Sequence, residues 1–309
     1  MDNSKYLDTI IHGDSVFELK KIQDNSIDVV VTDPPYFLDK LDSTWDRNKV
    51  HSENNMLTVT SLPSGMVFSR EQGVNLYNWY LDISKEILRV LKPGGFFFSF
   101  SSPRLYHRMA SAVDDAGFEI RDGFIWLYTQ NQVKAMSLNH VIKRMNITDS
   151  EKENLIKRLS GWKTPQIKSC FEPIVMGQKP KEKDFLNNIQ TYEVGLFNTN
   201  AMIGENMYPA NALSTEEISE VIDRVFLIAK PTKAEKGDYN DHKTVKPVSI
   251  CEHLIRLTAF SKDAVVLDPF MGSGTTAVAA KKNKVHFIGI ELNQSHIDIA
   301  NKRLQELDR

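Results

Sequence analysis

Cysteine is nearly absent from this chain. Cys170 and Cys251 are the only two and lie far apart, so no disulfide framework is expected and a reducing, cytoplasmic setting follows. Long apolar runs are missing too: Val29-Val30-Val31 and Phe96-Phe97-Phe98 are strand-sized, far too short to cross a bilayer. The first residues, Met1-Asp2-Asn3-Ser4-Lys5, show no charged leader before an apolar stretch, so no secretory signal is expected. Neither sign of charge dominates, with 38 Lys and Arg against 40 Asp and Glu and a net charge of −2. That balance argues against a bulk polycation coating nucleic acid, but a local basic face remains open.

What is present is an ordinary globular composition, 41% hydrophobic and 25% charged over 309 residues, enough for a full core. Tyr6 to Asp14 reads as a short strand ending in a glycine turn, followed by a helical stretch through Phe17, Leu19 and Ile22. Ile27-Asp28-Val29-Val30-Val31-Thr32 is a β-branched run of the kind buried in a parallel sheet. Residues 37–73 are polar and turn-rich, the composition of a lid loop. Leu76, Tyr80, Ile83, Ile87 and Leu91 then recur at spacings of four, three, four and four, a helix that Pro93-Gly94-Gly95 should stop.

Phe96–Phe100 is the next expected strand, and Phe118–Ile120 with Phe124–Tyr128 a further pair. The middle of the chain, 131–242, is less regular, with Phe171–Met176 as a strand and 178–224 without a strong period. From Pro247 a helix through Val248, Cys251, Leu254, Ile255 and Thr258 precedes the strand Ala264–Leu267. A glycine loop, a helix, the strand His286–Ile290 and a last helix ending near Leu304 complete the chain. Strands alternating with helices predict an α/β, doubly wound, mostly parallel Rossmann-like sheet, whose ligands bind outside the carboxyl ends of its strands.

Two loops fall at such ends. The first, Asp268-Pro269-Phe270-Met271-Gly272-Ser273-Gly274-Thr275-Thr276, follows a strand and opens a helix, the context of a nucleotide-binding turn. Thr276 and Ala277 stand where a dinucleotide fingerprint would place its third glycine, and no Gly-Lys-Ser/Thr for a nucleoside triphosphate is present. Glu291 ends the following strand, 17 positions after Gly274, where a carboxylate can accept both ribose hydroxyls of an adenosine-containing cofactor. Without Glu291, a plain tight turn would be the better reading of Gly-x-Gly.

The second loop is Asp33-Pro34-Pro35-Tyr36. Two prolines cannot continue a central strand; they stiffen the loop and fix where its carbonyls point. The Asp33 carboxylate and Pro34 carbonyl are two acceptors suited to a planar amino group. Accepting both amine hydrogens frees the nitrogen lone pair for attack on an electrophilic methyl group. Tyr36 offers a face on which a base can stack, a contact worth about 1–3 kcal/mol in single-stranded systems. A target inside a duplex would have to be flipped out first. The bland alternative is a rigid turn beside an ordinary tyrosine.

Together the two motifs resemble the DNA amino-methyltransferases, with Asp-Pro-Pro-Tyr and Phe270-Met271-Gly272-Ser273-Gly274 in the circularly permuted β-class order. The resemblance implies a Rossmann-like methyltransferase fold, S-adenosylmethionine as cofactor and double-stranded DNA as partner. By position, it implies that Asp33, Pro34, Pro35 and Tyr36 hold the target base. Asp268, Pro269, Phe270, Gly272, Ser273, Gly274 and Thr275 would line the cofactor, Glu291 would bind its ribose, and Asp14 would lie near its adenine. His242-Lys243-Thr244-Val245-Lys246-Pro247 resembles a His-x-Thr-x-Lys-Pro segment of the family, making Lys246 a candidate for the methionine carboxylate. Trp45 and Asp46 resemble a lid element of some relatives.

The resemblance further implies a catalytic half over 1–177, a target-recognition region inserted at 178–240 and a cofactor-binding half over 241–309. Lys179, Lys181, Lys183, Arg224, Lys230, Lys233 and Lys236 make the inserted region fairly basic, though acidic residues interleave. A nucleoid-associated enzyme of a restriction-modification pair is expected, with a separate restriction endonuclease and a homodimer as partners.

Adenine N6 is the expected target, because aspartate opens the motif where serine is more usual for cytosine N4. Cytosine N4, an RNA or protein amide, and a catalytically silent DNA-binding protein stay open as alternatives. Cytosine C5 chemistry is poorly supported, since neither Cys170 nor Cys251 follows a proline. Neither a metal nor a covalent intermediate is expected.

Overall fold

A computed structural model of the chain describes residues 3–35, 70–127, 135–164, 171–201, 211–214, 226–227, 231, 233–236, 239–240 and 245–307. In chain order the elements begin with β1 (Thr9–His12), α1 (Ser15–Glu18), β2 (Ile27–Thr32), α2 (Arg70–Val90), β3 (Leu91–Phe100) and α3 (Tyr106–Asp115). They continue with β4 (Glu119–Leu127), α4 (Asn139–Lys143), α5 (Asp149–Arg158), β5 (Phe171–Gln178), α6 (Phe185–Tyr192), β6 (Ala212–Ser214) and β7 (Phe226–Leu227). The last are α7 (Lys233–Lys236), α8 (Val248–Thr258), β8 (Val265–Asp268), α9 (Thr275–Lys282), β9 (His286–Glu291) and α10 (Gln294–Glu306).

The strands form one sheet in the order β1-β9-β8-β2-β3-β5-β4-β6-β7. β5 runs antiparallel to β3 and β4, while the other pairings are parallel. The carboxyl ends of β1, β9, β8, β2, β3 and β4 therefore share one edge, and β5 begins at that edge.

β2 is buried at every residue, which a strand covered on both faces requires. Alternate side chains enter opposite layers. Val30 and Phe97 pack with Leu76, Tyr80, Ile83 and Ile87 of α2 and Met109 and Ala112 of α3. Val29, Val31, Phe96 and Phe98 pack with Ile250, Leu254 and Leu257 of α8 and Ala277 and Val278 of α9. This two-sided burial is the doubly wound architecture expected from the alternation of strands and helices, and truncating one such Phe to Ala would cost about 3–5 kcal/mol.

Four local expectations are corrected. The helix begins at Arg70, so residues 70–73 belong to it rather than to the preceding loop; residues 36–69, with Tyr36, Trp45 and Asp46, lie outside the described residues. The same helix ends at Val90 rather than at Pro93, because Leu91 already pairs with Ile27 in the sheet. The register then shifts so that Phe96 pairs with Val29, and Lys92–Gly95 bulge opposite Asp28. Gly94 holds φ +82° there, and a Cβ on it would stand 2.5 Å from Asn188 Nδ2.

Glu119-Ile120 and Phe124–Leu127 do not belong to two strands but lie along the single strand β4, which leaves out Phe118 and whose pairing with β5 carries the chain through polar Arg121-Asp122 with a register shift; Tyr128 lies outside the described residues. Finally, α3 lies in a stretch with no helical expectation, its buried stripe being only Met109, Ala112 and Val113.

Residues 178–201 lie at the edge opposite the carboxyl ends. Gln178 Nε2 donates to Gly94 O at 2.9 Å, Asn188 Nδ2 to Pro93 O at 2.9 Å, and Asn198 N to Leu257 O at 2.8 Å. All three anchors are at the amino end of β3 or the carboxyl end of α8, away from Asp33.

Candidate active site

β2 delivers Asp33 and Pro34-Pro35 to the carboxyl edge, with Pro34 buried and Asp33 and Pro35 half-buried. Lys246 immediately precedes Pro247, the N-cap of α8, and its Nζ bonds the Asp33 carboxylate. The same ammonium stands 3.3 Å from Glu172 Oε2 and 5.3 Å from the centre of the Phe100 ring. Burial opposes the charge on Lys246, but the Asp33 and Glu172 carboxylates outweigh it and hold its pKa above the ordinary lysine value. The lysine is therefore a fixed cation between two acids.

Glu172 is a residue of the candidate site that sequence reasoning missed. It opens β5, and only the antiparallel direction of that strand brings it to the edge where Asp33 sits. The signal in the sequence was a lone glutamate between Phe171 and Pro173 at the head of an apolar strand, which says nothing about direction.

The second loop leaves β8, next to β2 in the sheet. Asp268 turns its carboxylate inward, where Oδ1 accepts Thr32 Oγ1 at 2.7 Å and Phe270 N at 3.0 Å, and Oδ2 accepts Thr276 Oγ1 at 2.7 Å. Burial pushes the Asp268 carboxyl up to about 6, with the Thr276 and Thr32 hydroxyls and the Phe270 amide pulling the other way. Thr276, which replaces a dinucleotide-type third glycine, is thus the second clamp on this aspartate. Thr275 Oγ1 lies 3.5 Å from Lys246 O, joining the two loops.

Beyond Asp268, Pro269 O accepts a short hydrogen bond from Ser15 Oγ. Phe270 is half-buried, 5.4 Å ring to ring from Trp79 of α2. Gly272 and Gly274 take φ +53° and +84°. At Gly274 a Cβ would lie 2.6 Å from Ala300 Cβ of α10, so the loop needs glycine for conformation and for space. Arg303 of α10, also missed from sequence, is buried and donates to Ser273 O at 2.7 Å. A buried arginine in a terminal helix is normally tied to backbone carbonyls, but the helical pattern alone does not name which.

At the end of β9, Glu291 Oε2 accepts Gly272 N at 2.8 Å, and Oε1 accepts Asn293 N at 2.9 Å. Burial raises its pKa, but bonds from His296, Asn293 and Gly272 prevail and hold it below the usual glutamate value. Asp14 caps α1 by accepting Val16 N at 2.9 Å, beside Gly13, whose N donates to Glu291 O at 3.0 Å. The structure therefore brings Asp14, Asp33, Pro34, Pro35, Lys246, the 268–276 loop and Glu291 to one edge. Tyr36, His242, Lys243 and Thr244 lie outside the described residues.

A doubly wound sheet with an acidic Pro-Pro loop and a glycine loop on neighbouring strand ends defines a Rossmann-like methyltransferase. A family of N6/N4 enzymes described as DNA methylase matches residues 27–302, and the chain belongs to this family. It is 31% identical over 317 residues to the Type II methyltransferase M.HindIII of Haemophilus influenzae, covering 96% of this chain and 95% of that one. It is 26% identical to the DNA adenine methyltransferase YhdJ of Escherichia coli K12, covering 96% and 82%.

Among solved structures, the M1.HpyAVI–SAM complex aligns with TM-score 0.55 at 21% identity, covering 96% of this chain and 98% of that one. The cytosine-N4-specific PvuII DNA methyltransferase aligns with TM-score 0.56 at 17% identity, covering 97% and 89%. These two likenesses establish the fold.

Proposed function

We propose that the protein transfers a methyl group from S-adenosylmethionine to N6 of an adenine flipped out of double-stranded DNA, at a specific site. One observation carries this reading: the Asp33 loop and the glycine loop leave adjacent strands, β2 and β8, with Glu291 on the next strand, β9. An acceptor pair for an amine and a cradle for an adenosine are therefore neighbours.

The residues suit the cofactor. Each Glu291 oxygen takes one backbone N–H, and His296 Nδ1 stands 3.5 Å from Oε1; a carboxylate has about four lone-pair directions, so Oε2 keeps capacity for a ribose hydroxyl. Gly272 and Phe270 are half-buried, presenting backbone and an aromatic face on the loop's outer side. Asp268 is committed inward to Thr32 and Thr276, and supports the loop rather than reaching a ligand with its carboxylate. When bound, S-adenosylmethionine supplies a methyl group activated by a sulfonium.

The protein's own part is orientation. Asp33 and the Pro34 carbonyl accept the two amine hydrogens, which localises the nitrogen lone pair. Lys246 fixes one Asp33 oxygen by charge, and a carboxylate can accept the amine with the lysine in place. Glu172 in turn sets where the ammonium sits. The proton released by the methylated amine leaves to solvent, and no enzyme-bound covalent species is formed.

Aspartate at the head of the loop and the adenine-specific relative YhdJ support N6. The resemblance to Type II methyltransferases supports site-specific modification; a separate restriction endonuclease and a homodimer are part of the same proposal. Mass spectrometry of nucleosides from duplex DNA incubated with the protein and S-adenosylmethionine tests the reading. N6-methyladenine is expected; N4-methylcytosine alone, or methyl transfer confined to RNA, would overturn it.

A further inference from the structure

Between β4 and β5 the chain makes an excursion whose neck is closed by a reciprocal pair. Thr164 N donates to Met136 O at 2.9 Å, and Met136 N donates to Thr164 Oγ1 at 2.9 Å. Within it, α4 and α5 pack on each other around Ile142, which is 4% exposed. A capping box starts α5, with Thr148 N donating to Glu151 Oε2 at 2.8 Å and Glu151 N to Thr148 Oγ1 at 3.3 Å. The excursion is thus a small helical hairpin with its own closure.

Its attachment follows from topology. β4 ends at Leu127 and β5 begins at Phe171, paired with each other at the carboxyl edge, so both stems leave from the edge that carries Asp33 and Glu172. Covalent geometry limits Thr164 to about 25 Å from Phe171. That is less than one helical turn of duplex, about 34 Å.

Its chemistry departs from the rest of the chain. Residues 136–164 hold six Lys and Arg against three Asp and Glu, in a protein whose net charge is −2. Two of the acids serve the hairpin itself: Asp149 pairs with Lys152 at 3.2 Å, and Glu151 closes the capping box. Lys143, Arg144, Lys157, Arg158 and Lys163 are all exposed. Trp162 is 74% exposed, with Leu138, Val141 and Met145 also exposed on the same hairpin. Cations at the ends of α4 and α5 favour the helix dipoles, which accounts for Lys143, Lys157 and Arg158 but not for Lys163 or an exposed tryptophan.

We infer that the 136–164 hairpin is the DNA-gripping element of this enzyme, its exposed cations contacting duplex phosphates and Trp162 a base or sugar, on the same side as the site. The inference rests on the DNA-methylating reading above and relocates the grip. Residues 178–201 hold three Lys against three Asp and Glu and are tied to the opposite edge of the sheet.

Fluorescence anisotropy of the full chain with a labelled 30-base-pair duplex, over a salt series, tests it. A K143A/R144A/K157A/R158A/K163A variant is expected to bind about ten-fold or more weaker at 0.1 M salt, with the log–log salt slope reduced by about 0.9 for each phosphate no longer neutralised. W162A should weaken binding several-fold with the slope unchanged. K181A/K183A, at the far edge, should bind as wild type. S-adenosylmethionine affinity, read by calorimetry, should survive in all of them and certifies folding.

Unchanged duplex affinity and slope in the five-fold variant, or loss confined to K181A/K183A, would overturn the assignment. If wild type methylates DNA while the five-fold variant still binds it normally, only the hairpin assignment falls. If the hairpin governs binding but wild type transfers no methyl to DNA, only the functional reading falls.

Discussion

Lys246 Nζ lies 3.3 Å from Glu172 Oε2 while it bonds Asp33, so three residues from distant parts of the chain form one charged cluster at the carboxyl edge. Lys246 is the hub. Removing it leaves two carboxylates facing each other in a partly buried site, and removing Glu172 leaves the Lys246–Asp33 pair intact.

Lys246→Met is therefore expected to destabilise the protein by about 3 kcal/mol, the lower end for breaking a buried ion pair, since Asp33 is 22% exposed. Glu172→Gln alone should cost about 1 kcal/mol or less, its side chain being 23% exposed. The double variant should recover part of the Lys246→Met loss. Urea unfolding of all four proteins gives the coupling; a coupling of zero would mean that Glu172 does not act on Lys246.

Asp268 makes stability depend on pH in a definite direction. Its folded value, about 6, is above the ordinary 3.8, so the folded state holds this proton more tightly than the unfolded state. Its contribution is complete below about pH 3.8 and is lost as pH rises through 6. Asp268→Asn removes that slope, and the stability difference, variant minus wild type, should rise by about 2.4 kcal/mol between pH 4 and 7. Asp268→Ala instead strips the acceptor from Thr32, Thr276 and Phe270 N, and should cost about 3 kcal/mol near neutral pH. Denaturant melts from pH 4 to 8 decide both.

Gly274 couples the glycine loop to α10. Gly274→Ala combines a left-handed φ with a 2.6 Å approach to Ala300, and should destabilise by about 2 kcal/mol or more. It should also weaken S-adenosylmethionine binding. Adding Ala300→Gly relieves the clash but not the backbone, so thermal melts should show partial recovery only. Full recovery would mean that the left-handed backbone costs the alanine nothing.

Asp33 and Glu291 should separate chemistry from cofactor binding. Asp33→Ala is expected to abolish methyl transfer while calorimetry finds S-adenosylmethionine binding largely kept. Glu291→Ala removes a charged acceptor from Gly272 and from the ribose, and should cut cofactor affinity about 10- to 100-fold. Wild-type affinity in that variant would remove Glu291 from the cofactor site.

The parts of the site legible in the sequence are those written in a few consecutive residues. An apolar run ending in Asp33-Pro34-Pro35 must be a strand running into a loop, because proline cannot continue a central ladder. A strand, Gly272-x-Gly274 and a helix must be a tight turn, because positive φ there suits glycine. Period-four apolar spacing gave α2 its buried face. Where local patterns misled, pairing had overridden them: Leu91 belongs to β3 because Ile27 is there to receive it, and Arg121-Asp122 stay in β4 because β5 supplies the hydrogen bonds.

By itself, then, the sequence determined the alternation of strands and helices, the two loops and the carboxylate that ends β9. All are set by backbone sterics and by periodic burial, which act over a few residues. Only the tertiary structure decided that β5 runs backwards, that Glu172 thereby meets Lys246, and that Lys246 meets Asp33 across 213 positions of chain. It alone put Arg303 under Ser273 and tied 178–201 to the far edge. Strand direction and side-chain meeting points come from how whole layers pack, and no short stretch of residues contains them.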